Sequence, residues 1–207
     1  MIRATVRGVN GLVLFGVIRG LTSEVAPLLA GLQETRPGAV AVAVPPEELA
    51  GIAQYFVGTP VEPLVPLSEM ESAEASGLAR YGEVRVPPPA LPALISWGRS
   101  REVPVVGVDP PDDEYAGLFT QHIRYVDLVR RTVSERRIVR APPEAPTPEE
   151  FVLARERAIA RGRGSERLAR AREERVARAT RTLLQAHPRV ALVVDRERMD
   201  GVRAAFG

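Results

Sequence analysis

The chain has no cysteine, and all 28 of its basic residues are arginine, so lysine is missing as well. The first absence excludes disulfides, thiolate metal sites and cysteine nucleophiles together. The second excludes a Schiff-base amine and the lysine of a phosphate-binding loop. Only two histidines are present, His122 and His187, and aromatic residues make up 5% of the chain. A Ser-His-Asp triad is disfavoured, because the histidines are scattered and no Gly-x-Ser-x-Gly elbow occurs. Long hydrophobic runs are lacking too: the apolar stretches around Gly11 to Ile18 and Val40 to Val44 are too short to cross a bilayer. The opening residues have no signal-like pattern, so a soluble cytoplasmic protein is expected. Charge of one sign is equally scarce in sum. The net charge is +2 despite a pI near 9.5, and bulk charge therefore says little about nucleic acid.

What is present fits a globular chain. At 207 residues, 45% hydrophobic and 26% charged, one domain covering residues 1–207 is expected. Ala4 to Val9 and Leu12 to Ile18 are β-prone runs around Asn10-Gly11, a pair suited to a tight hairpin turn. Val25, Leu28, Leu29 and Leu32 recur at helical spacing until Arg36-Pro37-Gly38 stops them. Ala39 to Val44 is continuously apolar, the pattern of a strand covered on both faces. Pro45-Pro46-Glu47-Glu48 opens another helix, Val61 to Leu67 reads as a strand, and helices follow over Glu69 to Gly82 and Leu91 to Trp97. Val103 to Val108 reads as a buried strand with Asp109 just beyond it. An interrupted helical excursion is expected from about Asp112 to Ala186, restarted by the Thr147-Pro148-Glu149-Glu150 cap, before a last core strand over Val190 to Val194. The fold expected is thus α/β: a mixed central sheet opening with a β-hairpin, helices on both faces, and a helical excursion in the C-terminal half.

Three segments resemble the TraB/PrgY (pheromone shutdown) family, which is related more distantly to the Tiki, ChaN and EreA-like proteins. Leu14-Phe15-Gly16-Val17-Ile18-Arg19 followed by Thr22-Ser23-Glu24 is similar to the family's strand, Gly-x-x-His motif and helix, with Arg19 in the histidine's place. Arg36-Pro37 and Val40 to Pro45 resemble its Val-x-Val-Glu-Leu-Asp strand, with Ala43 replacing the glutamate and Pro45 the aspartate. His187-Pro188-Arg189-Val190 and the strand leading to Asp195-Arg196-Glu197-Arg198 resemble the family's closing segment, with Arg198 in the place of its second histidine. The resemblance implies a degenerate relative of proposed metal-dependent hydrolases. Guanidinium has no lone pair to offer a cation, so these replacements would dismantle a metal site.

Its implication for function is a non-catalytic binding or regulatory protein with neither catalytic residues, metal nor cofactor. The former cleft would hold a small anionic ligand through Arg19, Arg198 and Arg196, beside Asp109 and Asp195, with Arg99 also in reach. Two alternatives stand beside it. In one, the same arginines merely neutralise Asp109, Asp195 and Glu197. In the other, those carboxylates rebuild an oxygen-ligand metal site for hydrolysis. The arginines between Arg155 and Arg181 could track a phosphate backbone, but Glu156, Glu166, Glu173 and Glu174 interleave with them and no aromatic platform accompanies them. A solvated helix or a homodimer interface is the expectation there, with nucleic acid the weaker reading. Glu69, Glu71 and Glu74 read as a charged helix face.

Overall fold

Strand and helix alternate as the apolar spacing requires, and the resulting layers explain why the hydrophobic residues fall where they do. The computed structural model describes residues 1–6, 8–57, 68–160 and 162–207, the side chains of Phe56 and Val57 aside, so the strand expected over Val61 to Leu67 lies outside the described residues. Among the described residues the strands are β1 (Ile2–Thr5), β2 (Leu12–Val17), β3 (Ala39–Val42), β4 (Val105–Gly107) and β5 (Val190–Asp195). They form one sheet in the order β1-β2-β5-β3-β4, antiparallel between β1 and β2 and parallel elsewhere.

The period of two along these strands sorts their side chains into two cores. Leu12, Leu14, Ala39, Ala41, Val190, Leu192 and Val194 face α8 (Arg163–Ala186) and α9 (Met199–Phe206), meeting Val176, Ala177, Val202 and Phe206. Phe15, Val17, Val40, Val42, Ala191 and Val193 face α1 (Val25–Thr35), α2 (Pro46–Val57) and α4 (Ala90–Arg101), meeting Leu28, Leu32, Leu49 and Leu94. Helices therefore cover both faces, which is why β3 and β5 read as unbroken apolar runs. The helical excursion comprises α5 (Asp112–His122), α6 (Tyr125–Arg140), α7 (Pro148–Ile159) and α8. With α3 (Glu69–Leu78) it closes a third, smaller core of Ile18, Leu21, Leu78, Phe151 and Val152 beyond the carboxyl ends of the strands. Thr147 caps α7 as its sequence requires, its hydroxyl accepting from the Glu150 amide at 3.2 Å.

Two local expectations need correction. The hairpin is present, but β1 ends at Thr5 and β2 begins at Leu12, so Asn10-Gly11 does not join the two strands as a two-residue turn. Gly11, at φ +80°, is held by the far end of the chain: its carbonyl accepts from Val190 N at 2.8 Å, and a β-carbon there would run into the Pro188 carbonyl. Gly8 shares a positive φ of +77° but faces open space. Gly11→Ala is accordingly expected to cost at least about 2 kcal/mol, from strain and collision together, against about 1 kcal/mol for Gly8→Ala. Denaturant unfolding of the two variants measures the difference. Second, β4 is half-buried rather than buried, because among the described strands it pairs with β3 alone and so stands at the edge of the sheet.

Candidate functional site at the carboxyl edge of the sheet

The chain leaves the carboxyl ends of β2 and β3 toward α1 and α2 on one face. It leaves β5 toward α9 on the other, and the excursion that follows β4 returns to that second face through α8. Adjacent strands whose connections depart in opposite directions open a crevice at their carboxyl ends, the usual ligand position in open α/β sheets. Arg19 follows β2, Ala43 follows β3, Asp109 follows β4, and Asp195 through Arg198 close β5. The sheet thus brings Arg19, Asp109, Asp195, Arg196 and Arg198 to one edge, where they divide into an inner and an outer group, whereas Arg99, expected within reach, stands in the last turn of α4 ahead of β4 and is not among them.

The inner group is locked. Asp109 is 1% exposed and receives Arg198 bidentately, Nη1 to Oδ2 at 2.7 Å and Nη2 to Oδ1 at 3.0 Å. Arg172 Nη2 donates to the same Oδ2. Arg198 Nη1 also donates to the Ala43 carbonyl at 3.3 Å. Arg198 is 14% exposed, and although its partial burial works to lower its pKa, the charges of Asp109, Asp195 and Glu173 hold its guanidinium above its ordinary range. Both oxygens of Asp109 and both terminal nitrogens of Arg198 are spent within the protein. Arg196 is likewise engaged, with Glu149 at 2.7 Å.

The outer group is looser. Arg19 pairs with Glu48 at 2.6 Å and lies 4.0 Å from Asp195, with its side chain 36% exposed and that of Glu48 38% exposed. Both border a cleft of about 350 Å³ whose walls include Ile52, Glu71, Glu74, Leu78, Val84 and Pro88. Burial works to lower the Arg19 pKa, but Asp195, Glu48, Glu74 and Glu197 together raise it. Glu71 is pulled down by the Ser68 amide and hydroxyl it accepts from in the capping box of α3.

Behind the cleft wall Arg155 joins two acids, reaching Glu74 at 2.8 Å and Glu197 at 3.8 Å. Burial raises the Glu74 pKa despite Arg155. Glu197 is pushed up to about 8, first by burial and then by the charges of Asp195 and Glu74. This carboxyl is therefore largely protonated at neutral pH. Among the described residues no three His, Asp or Glu side chains are grouped so that they could hold a metal ion.

Arg172, Arg155, Glu48 and Glu74 are site residues that reading the sequence did not assign. A signal existed for two of them. Arg172 lies four residues from both Leu168 and Val176, on the buried face of α8, and Arg155 follows Phe151 at the same spacing on α7. An arginine in register with an apolar stripe points inward, and a buried guanidinium requires a carboxylate. The histidines stand elsewhere: His122 ends α5 and His187 caps α8. Among the described residues no helix is long and apolar enough to cross a membrane. Compared with family models, with curated proteins and with solved structures, the chain gives no match.

Proposed function

We propose that the chain is a non-catalytic binding protein of TraB-like ancestry whose cleft takes a small anionic ligand on Arg19. The observation that carries this reading is the unequal engagement of the edge arginines. The Arg19–Glu48 pair is more than a third exposed on each side, and such pairs contribute about 0–1 kcal/mol, so a carboxylate or phosphate can take the place of Glu48 at little cost. Arg198 offers no such opening, since its partner Asp109 is almost wholly buried. Ile52, Leu78 and Val84 beside Arg19 favour a ligand with an apolar body next to its anionic group.

Ancestry is supported by position. Arg19, Ala43 and Arg198, which stand where the resembling family carries its histidines and glutamate, follow three neighbouring strands, and Arg198 reaches the Ala43 carbonyl. In this reading the guanidinium occupies the centre of the former site and ties it to Asp109.

Thermal unfolding in the presence of phosphate, sulfate, nucleotides and medium-chain carboxylates tests the proposal, because a ligand of the native state raises its apparent stability by mass action. Anions with an apolar body are expected to stabilise the protein, and Arg19→Gln to abolish the effect while changing the unliganded stability by under about 1 kcal/mol. Stabilisation that persists in Arg19→Gln places the ligand elsewhere, and stabilisation by a divalent cation alone reopens the hydrolase.

A further inference from the structure

We propose that the outer face of α6 docks the protein on an anionic lipid surface. This face is independent of the cleft. The helix has one buried side and, opposite it, an exposed apolar one. Its inner side buries Asp127 and Ile138 and packs against α3 and α7. Its outer side exposes Tyr125, Val129 and Val133 at successive four-residue steps with Val126 beside them, Tyr125 being 82% exposed. Residues i and i+4 share one face of a helix, so these side chains form a continuous ridge. In the following turn Arg136 and Arg140 extend the same ridge.

Charge selects the occupant. Arg124, Arg130, Arg131, Arg136, Arg137 and Arg140 are all exposed along this helix. Its two acids do not offset them outward. Asp127 is turned inward against the first turn of α8 at Gly164, where its carboxylate also accepts from the Arg124 amide at 3.2 Å, and Glu135 is paired with Arg131 at 2.7 Å. A second copy of the same ridge would set arginine against arginine, which disfavours self-association through this face of α6. A protein partner ordinarily needs about 800 Å² of matched surface, whereas this ridge is one helix wide and convex. A bilayer interface accepts a convex ridge of any outline, burying its apolar crest while the long arginine side chains reach lipid phosphates. Each arginine near such a surface strengthens binding about fivefold.

The test is flotation of the full chain with vesicles of phosphatidylcholine alone and of equal parts phosphatidylcholine and phosphatidylglycerol. Retention on the anionic vesicles only is expected, weakening as salt rises past about 0.15 M. Arg136→Ala with Arg140→Ala should weaken retention about 25-fold, fivefold for each arginine. Val129→Asp with Val133→Asp should abolish it. Each substituted side chain is exposed, and thermal unfolding verifies that both variants remain folded. Equal retention on neutral vesicles, or retention that neither pair of substitutions alters, overturns the proposal. So does a concentration-dependent dimer that Val129→Asp with Val133→Asp dissociates while the unsubstituted chain ignores lipid.

Discussion

Arg198→Met is expected to destabilise the fold by roughly 3–5 kcal/mol, the cost of leaving one partner of a buried ion pair uncompensated. Asp109 is 1% exposed and takes three charged hydrogen bonds, two from Arg198 and one from Arg172. Methionine fills much of the volume and supplies no charge, so the buried Asp109 is left with Arg172 alone, a partner whose side chain is 31% exposed. Asp109→Asn should be costly in the opposite sense, since two guanidiniums then face a neutral amide. The double variant Asp109→Leu, Arg198→Met removes the pair whole and should recover part of the loss, because buried pairs replaced by apolar side chains are often neutral in sum. Denaturant unfolding of the four proteins in a double-mutant cycle gives the coupling directly. Losses that simply add would mean that the pair is not what holds this edge together. Arg19→Gln, in contrast, breaks a pair exposed on both sides and should move stability by under about 1 kcal/mol.

That contrast separates what the sequence discloses from what only the fold decides. The strand-helix alternation was readable because each segment carries its own period and stop signals, as Arg36-Pro37-Gly38 does after α1 and Thr147 does before α7. Arg19, Asp109, Asp195 and Arg198 could be assigned to one edge because each ends a strand or follows one within three residues. Which arginine meets which acid was not readable. Arg172 lies 63 positions from Asp109, and Arg155 lies 81 from Glu74, so the pairs depend on how α7 and α8 settle over the sheet. The exposure of β4 has the same origin. Its apolar run is local, but its place at the edge depends on which strands pair with it, and among the described strands only β3 does. In the hairpin, Asn10-Gly11 suggested a self-sufficient turn, whereas Gly11 is needed for its contact with Pro188.

The stability of the protein is expected to fall as pH rises from about 4.5 to about 8, with Glu197 as the principal cause. Its carboxyl is pushed up to about 8 by burial and by Asp195 and Glu74, with Arg155 as the opposing cation, so between these limits the folded chain holds a proton that the unfolded chain has released. Stability falls with pH wherever the folded state binds more protons, by up to about 1.4 kcal/mol per pH unit for one group. Glu74 and Glu173, also raised, act in the same direction. Glu197→Gln keeps the neutral shape and removes the titration. Its unfolding free energy should match that of the unsubstituted chain at low pH and exceed it increasingly toward about pH 8, as measured by denaturant titrations across the range. An equal slope in the two proteins would place the proton on another group. The same ionisation bears on the cleft, because Glu197 is among the acids whose charge is felt at Arg19. Once Glu197 ionises, an added negative charge stands behind the guanidinium, and the affinity for an anion should weaken above about pH 8 in the native chain but not in Glu197→Gln.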